Sequence, residues 1–324
     1  MNKKIDMPDF ISSGSTLLNL ALSGKVDGGW RIGRICNIVG DKSTGKTLLA
    51  IELITYALKA FTKLRKDSKV KVIYNETESA FDIPYAEILG MPVDLVDFAQ
   101  SDTVEAWHNH LKLELDKDDY DFMVYVIDSL DALSTEQEKG KEITDGSYTA
   151  PIKGAKMSEL FRRLTQEVSR KKALVVIISQ IRDKIGVVFG KKYTRSGGRG
   201  MDFYASQVIY LAEKGKLKIS DRVVGVNIRA KVDKNKVWKP YREAEFPILF
   251  EYGIDDVGSM VDFLIDQKVI QKSGPRYVWK DKKIYRENLI VELEDCKEEV
   301  VKLVEDTWNA LEEKCKVKRK PKYE

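Results

Sequence analysis

The chain has 324 residues, 43% hydrophobic and 33% charged, which suits one large core with a smaller appendage or two modest domains. No apolar run reaches the roughly 18 residues needed to cross a bilayer, and the N-terminus lacks a signal-peptide core, so we expect a soluble, cytoplasmic protein without a membrane partner. The net charge of +4 is too small to identify a nucleic-acid binder, and Cys36, Cys296 and Cys315 lack metal-ligand spacing and predict reduced thiols.

Apolar strands alternate with amphipathic helices through most of the chain. The predicted strands are Arg34–Val39, Val70–Asn75, Leu95–Ala99, Phe122–Ile127 and Leu174–Ser179. The predicted helices between them include Lys46–Lys63, Val104–Leu115 and Lys156–Lys171. Near-continuous apolar strands separated by helices predict an α/β fold, in which helices cover both faces of a largely parallel sheet.

The pattern changes after Gln207. Three strand-like segments, Gln207–Ala212, Val223–Asp233 and Glu243–Phe250, follow one another without a clear helix and predict an antiparallel extension of the sheet. A helical stretch, a small aromatic β patch around 277–285 and a last helix at Glu294–Lys314 follow. We therefore predict a short N-terminal arm (1–10), a core (11–254), a small α+β C-terminal domain (255–314) and a basic tail (315–324).

A complete Gly-x-x-x-x-Gly-Lys-Thr motif follows the first long strand and opens a helix. Its residues are Gly40, Asp41, Lys42, Ser43, Thr44, Gly45, Lys46 and Thr47. Glycines let backbone N–H groups converge on a phosphate, and the helix N-terminus adds its dipole. The motif predicts ATP and Mg²⁺ as cofactors, with Lys46 at the β- and γ-phosphates and Thr47 as a Mg²⁺ ligand.

Acidic and amide side chains stand at the ends of three other strands. Asp128 ends a buried strand, where P-loop enzymes place the carboxylate that holds Mg²⁺ through water, although a helix N-cap would look the same. Glu76 and Glu78 follow the second strand, and either could orient or deprotonate a water molecule, or be a plain surface acid. Gln180, at the end of the fifth strand, could sense the γ-phosphate.

Basic residues are concentrated in two places. Between residues 182 and 199 there are six basic residues against one acid, and the last thirteen residues carry six against three. Such runs attract phosphate backbones, but they are also common on solvated surfaces. Charge alone leaves both interpretations open.

Taken together, these segments resemble the bacterial RecA recombinases from Ile11 to about Leu289. Residues 77–86 are similar to the family's Ala-Glu-His-Ala-Leu-Asp-Pro-x-Tyr-Ala motif, and residues 179–190 resemble the start of its mobile DNA-binding loop. Gly197, Gly198 and residues 203–206 are similar to the end of that loop, and residues 231–236 resemble a strand containing Val-Lys-Asn-Lys.

The resemblance implies roles for individual residues. Glu78 would be the catalytic base, and Gln180 would couple the γ-phosphate to the DNA loop. Asp82 and Tyr85 would contact adenine, and Phe250 would pack on it from a neighbouring subunit. Lys234 and Lys236 would reach the neighbour's ATP. The DNA-contacting residues would be Arg162, Arg163, Arg182, Lys184, Ile185, Val187, Lys191, Lys192, Arg195, Gly197, Gly198 and Arg199, together with a first loop at 143–151.

The sequence departs from the family pattern in four places. Only ten residues precede Ile11, so we expect the family's N-terminal helix and strand, which pack on the next subunit, to be largely missing. Asp202 stands where the family often has lysine, with Arg199 as a compensating charge. The first DNA loop matches weakly, and the tail is basic where many relatives are acidic. The shortened N-terminus suggests a divergent member, for which a phage origin is one interpretation.

The favoured interpretation is a DNA-dependent ATPase that forms a filament on single-stranded DNA and exchanges strands with a homologous duplex. One alternative is a motor with the same fold, such as a ring helicase or a circadian-type ATPase. Another is a scaffold on DNA that uses ATP only as a switch. The long match around the DNA loop disfavours the motor, and the presence of Glu78 disfavours the scaffold, because a switch needs no base.

Overall fold

The computed structural model describes residues 9–64, 69–140, 150–183, 193–195 and 198–319. At 60–64, 150–152, 182–183, 193–195 and 198–199 the description is limited to the backbone. Among the helices in these ranges, none combines the length and apolar character that a membrane crossing requires.

Most strands belong to one large sheet. In chain order the strands are β1 (Phe10–Ile11), β2 (Trp30–Arg31), β3 (Ile35–Gly40), β4 (Val70–Glu76), β5 (Asp97–Gln100), β6 (Phe122–Asp128), β7 (Ala173–Asp183), β8 (Tyr193–Arg195), β9 (Gln207–Ile219), β10 (Arg222–Asn235), β11 (Glu243–Leu249), β12 (Gly253–Ile254), β13 (Gln271–Ser273), β14 (Arg276–Trp279) and β15 (Lys282–Ile284).

The helices lie mainly between these strands and after them. They are α1 (Thr16–Ser23), α2 (Lys46–Leu64), α3 (Ile83–Ile88), α4 (Val104–Lys117), α5 (Glu136–Lys139), α6 (Ala150–Arg170), α7 (Gly198–Tyr204), α8 (Asp256–Asp266), α9 (Arg286–Glu294) and α10 (Lys297–Lys314), with a 3₁₀ turn at Val93–Leu95.

The large sheet has the strand order β12-β11-β10-β9-β3-β7-β6-β4-β5, with β8 paired to β7 outside this row. The strands from β9 to β5 along this row are parallel, and β10, β11 and β12 continue the sheet in antiparallel fashion. The parallel strands end at the same edge of the sheet, so the residues after β3, β4, β6 and β7 meet there.

Both faces of the sheet are covered, as near-continuous apolar strands require. In β3, Cys36 and Ile38 belong to one apolar cluster, whereas Ile35 and Val39 belong to another. The first cluster includes residues of α1, α2 and the C-terminal helices, and the second includes residues of α4, α6 and α7. This alternation holds β3 rigidly between two layers of helices.

The C-terminal segment packs on the same side as α1. Val300, Val304 and Trp308 of α10 belong to the cluster that contains α1 and α2. Glu312 of α10 also accepts hydrogen bonds from Lys239 Nζ and Arg242 Nη2, each over 2.8 Å. The Arg242 guanidinium lowers the pKa of Glu312 to about 2. This carboxylate therefore ties the last helix to the segment between β10 and β11.

The predicted fold class, a largely parallel α/β sheet with an antiparallel extension and a small antiparallel β patch after it, is confirmed. The structure extends several elements beyond the prediction. β9 runs on to Ile219 and β10 begins at Arg222, so the two strands form a longer two-stranded ribbon than predicted. The helix α6 begins at Ala150, six residues before the predicted start. The predicted domain boundaries remain a prediction, since the C-terminal helices share an apolar cluster with the core.

Candidate active site

The loop between β3 and α2 carries the phosphate-binding motif. Gly45 has a φ of +79°, a left-handed conformation that favours glycine, and a Cβ there would lie 2.4 Å from Cδ1 of Ile248. A Cβ on Gly40 would lie 2.4 Å from Oγ1 of Thr44, whose hydroxyl donates to the Asp41 carbonyl over 2.8 Å. Both glycines are therefore required for the loop to turn tightly into α2. The first N–H groups of α2 then face the cleft above the loop.

Lys46 is half-buried at the start of α2. Its Nζ donates to the Asp41 carbonyl oxygen over 2.6 Å, so the ammonium lies over the loop. Burial lowers the pKa of Lys46, although the carboxylates of Asp128, Asp41, Glu78 and Asp131 act in the opposite direction. A cation that is partly removed from water attracts an incoming phosphate more strongly than one in bulk water, and here it also offsets the charge of the neighbouring carboxylates.

Thr47 and Asp128 meet at the carboxyl edge of the sheet. Thr47 Oγ1 donates to Asp128 Oδ2 over 2.6 Å, and Tyr74 OH donates to the same oxygen over 2.7 Å. Hydroxyl and carboxylate oxygens are the hard ligands that Mg²⁺ prefers, and Mg²⁺ sites usually combine one or two protein groups with water and substrate phosphates. Thr47 and Asp128 therefore fit the Mg²⁺ of a bound nucleotide.

Burial dominates the electrostatics of this pair. It raises the pKa of Asp128, while the hydrogen bonds from Thr47 and Tyr74 and the charge of Lys46 counteract the increase. Burial and the neighbouring Asp128 charge also raise the pKa of Tyr74 well above its usual value. Tyr74 therefore remains a hydrogen-bond donor to Asp128 throughout the neutral range.

The structure distinguishes the two acids that follow β4. The Glu76 carboxylate accepts three backbone N–H groups, from Glu78 over 2.9 Å, Ser79 over 2.6 Å and Ala80 over 3.1 Å. These three hydrogen bonds stabilise the turn that follows β4. The Glu78 carboxylate instead points toward the ends of β6 and β7, where Ser129 Oγ and Gln180 Nε2 donate to its Oε1. The structure thus brings Glu78, and not Glu76, beside Gln180.

Gln180 lies at the same edge, near the end of β7. Its Nε2 is 3.1 Å from Glu78 Oε1, and its backbone N–H donates to Asp131 Oδ2 over 2.7 Å. Both Glu78 and Gln180 are exposed, so this part of the edge is open to a ligand. Lys46, Thr47, Asp128, Glu78 and Gln180 thus lie together at this edge as one polar group, linked by hydrogen bonds or by charge.

A cleft of about 450 Å³ adjoins the phosphate-binding loop. Asp82 and Tyr85, the predicted adenine contacts, line it, and Asp82 caps α3 by accepting the Tyr85 N–H over 3.0 Å. Phe250 also lines this cleft, within the same chain. The Phe250 N–H donates to Val224 O over 2.9 Å. Packing of Phe250 on adenine from a neighbouring subunit stays a prediction.

Comparison of the sequence with known proteins identifies the family. The family model described as the RecA N-terminal domain matches residues 2–255. Protein RecA of Methylococcus capsulatus (strain ATCC 33009 / NCIMB 11132 / Bath) is 37% identical over 269 residues, which cover 83% of this chain and 73% of that protein. The chain belongs to the RecA family. The predicted family resemblance is thereby confirmed.

In this RecA-family chain, part of the predicted DNA surface is described. Arg162 and Arg163 are exposed on α6, and Arg163 pairs with Glu159 one turn earlier. The backbone of Arg182 on β7 pairs with Thr194 of β8, and that of Arg195 on β8 pairs with Ile181 of β7. The backbones of Gly198 and Arg199 open α7. Lys184, Ile185, Val187, Lys191, Lys192 and Gly197 lie outside the described residues, as do residues 143–149 of the first loop. Their contact with DNA stays a prediction.

Lys234 lies in β10, and Lys236 is the residue that follows this strand. Their side chains point to the same side, as expected for positions two apart. Lys234 Nζ donates to the backbone carbonyls of Asp202 and Phe203, the latter over 2.8 Å, and Lys236 Nζ donates to Phe203 O over 2.9 Å. Both lysines thus contact the C-terminal end of α7. The exposed Asp202 contributes its carbonyl here. Whether the lysines reach a neighbour's ATP stays a prediction for this RecA-family chain.

Sequence reasoning missed the hydroxyl groups that support the acids. Tyr74 contacts Asp128, Ser129 contacts Glu78, and Thr77 Oγ1 exchanges hydrogen bonds with the backbone of Ser129 over 2.7 and 2.8 Å. One signal was available. A tyrosine within an apolar strand must find a partner for its hydroxyl, and the nearest acid at a strand end is a natural acceptor.

Proposed function

We propose that this RecA-family protein is a DNA-dependent ATPase that assembles on single-stranded DNA, aligns a homologous duplex and promotes strand exchange. The observation that carries the proposal is the position of Gln180. Its side chain contacts Glu78, beside the phosphate-binding loop, and its strand β7 runs to Asp183, where the basic segment begins. A change at the nucleotide can therefore reach the proposed DNA loop through a single strand.

Each residue of the group then has a defined task. The loop N–H groups and Lys46 would hold the phosphates, and Thr47 and Asp128 would hold Mg²⁺. When bound, that ion neutralises charge on the β- and γ-phosphates. Glu78 would take the proton of the attacking water, with Ser129 and Gln180 fixing its orientation. Lys234 and Lys236 would supply positive charge to a neighbour's phosphates.

Strand exchange is the direct test. The protein should join a circular single strand to a homologous linear duplex when ATP and Mg²⁺ are present, and should not join it to a heterologous duplex. Negative-stain microscopy of the same mixture, with a slowly hydrolysed ATP analogue, should show helical filaments. Hexameric rings would favour the motor instead, and filaments that never yield joint molecules would favour the scaffold.

DNA binding through the basic segment can be tested by its salt dependence. Replacing Lys191, Lys192 and Arg195 together with alanine should flatten the log–log salt dependence of single-stranded DNA binding by about 0.7 per lost phosphate contact. ATP binding without DNA should hardly change. An unaltered slope in a filter-binding or anisotropy titration would mean that these residues do not contact DNA and belong to an ordinary solvated surface.

A matched control removes the same charge elsewhere. Lys69, Lys112 and Lys117 lie near the amino-terminal ends of the parallel strands, where Lys112 pairs with Glu167 and Lys117 with Glu114. Their triple replacement with alanine should leave the salt slope as it is in the unchanged protein. An equal fall in both triple variants would mean that total charge, and not the proposed loop, governs binding.

A further inference from the structure

Tyr74 lies on β4 with no exposed surface. Its ring packs against Phe81, with centroids 4.4 Å apart, and against Phe98 at 6.0 Å. Phe81 also lines the cleft beside the phosphate-binding loop. The tyrosine ring is therefore part of the packed layer beneath the proposed nucleotide site.

The hydroxyl of Tyr74 donates to Asp128 Oδ2 over 2.7 Å and also interacts with the hydroxyl of Thr47. A buried hydroxyl without a partner would destabilise the fold. Because packing fixes the ring, the hydroxyl is held in place to make the bond to Asp128. Thr47 Oγ1 donates to the same oxygen over 2.6 Å. If Thr47 turns to ligate a metal ion, as proposed above, Tyr74 remains to hold the carboxylate in place.

We infer that Tyr74 is a positioning residue, whose hydroxyl orients the Asp128 carboxylate for the Mg²⁺ of the bound nucleotide. The inference rests on the proposed function of this site. A carboxylate held through one oxygen cannot rotate freely, so its remaining lone pairs keep a constant direction toward the Thr47 side of the cleft. Partners that orient a metal-binding group in this way commonly contribute tenfold or more to metal affinity.

The test is the Mg²⁺ dependence of nucleotide binding by Tyr74→Phe. Phenylalanine keeps the ring and its packing against Phe81 and Phe98 and removes only the hydroxyl. Binding of a fluorescent, non-hydrolysable ATP analogue is measured without DNA while Mg²⁺ is titrated. The Mg²⁺ concentration for half-maximal binding should rise about tenfold. Binding of the analogue in EDTA should stay the same, because Tyr74 contacts Asp128 and is not among the residues lining the cleft.

Tyr125→Phe is the matched control. Tyr125 is also fully buried, on the neighbouring strand β6, and its hydroxyl bonds to Asn75 over 2.8 Å and to His110 over 2.9 Å. Removing that hydroxyl should leave the Mg²⁺ midpoint unchanged, even if the thermal unfolding temperature falls equally in both variants. A normal midpoint in Tyr74→Phe, or an equal shift in the two variants, would overturn the inference.

The outcome also separates this inference from the proposed function. If the unchanged protein showed no Mg²⁺-dependent binding of the analogue, the proposed function would fail, and the role of Tyr74 with it. If the unchanged protein bound normally and Tyr74→Phe bound identically, only the role of Tyr74 would fail.

Discussion

Lys46→Ala is expected to lower ATP hydrolysis by at least about 10²-fold and to abolish nucleotide-dependent DNA binding, while the protein stays folded. The reason is electrostatic. Four carboxylates, from Asp41, Glu78, Asp128 and Asp131, act on the pKa of Lys46. Without the ammonium, these acids would face the nucleotide phosphates directly. Because Lys46 Nζ lies over the loop and not in the core, its removal should leave no apolar cavity.

The measurement compares steady-state hydrolysis with thermal unfolding. Lys59→Ala is a suitable control, because Lys59 is exposed on the same helix and more than three turns from the loop. It should hydrolyse ATP normally. A folded Lys46→Ala protein that hydrolyses ATP at the normal rate would contradict the assignment of the phosphate-binding loop.

Glu78→Gln should bind ATP and DNA but hydrolyse ATP at least about 10²-fold more slowly, within the range of a lost general base. Glutamine has the same shape and keeps an oxygen that Ser129 and Gln180 can still bond, so the surrounding geometry should survive. The missing property is the ability to accept a proton. The protein should then remain on single-stranded DNA in its ATP state, which slow dissociation after dilution would show.

Glu76→Gln gives the comparison. Its amide would keep one oxygen for the backbone N–H groups but would present N–H₂ where the other oxygen now accepts Ser79 N–H. The turn should loosen, raising the KM for ATP more than it lowers kcat. If Glu76→Gln lost turnover while Glu78→Gln kept it, the assignment of the base would be reversed.

The sequence predicted the parallel strands well, because buried strands are apolar on both faces and stand out from helices. Elements with other burial patterns are harder to predict from the sequence. All eight residues of α1 are buried, and its polar residues, Thr16, Asn19 and Ser23, bond within the fold. The helix therefore lacks the charged, exposed face by which surface helices are recognised. The sequence predicts a strand that begins at Leu95. In the structure Leu95 is exposed in a 3₁₀ turn, and β5 begins at Asp97.

The site was predictable where a motif fixes local geometry, as in residues 40–47. The choice between Glu76 and Glu78 depended on which carboxylate the following backbone N–H groups bind, and no spacing rule reveals that. The position of Phe250 in the cleft of its own chain depends on contacts such as its backbone bond to Val224, which only folding brings close. Contacts of this kind are set by tertiary structure, beyond the reach of local patterns.

The strand that leads into the phosphate-binding loop takes both its neighbours from much later in the chain. Ile35 pairs with Val175 of β7, and Cys36 with Gln207 of β9. During synthesis, β3 therefore has no partner on either edge until β7 has left the ribosome, and gains its second only with β9. Closing such long loops is slow, because their entropy is lost before any contact forms. The proposed nucleotide site, encoded near the start of the chain, is thus among the last parts that can be completed as the protein is made.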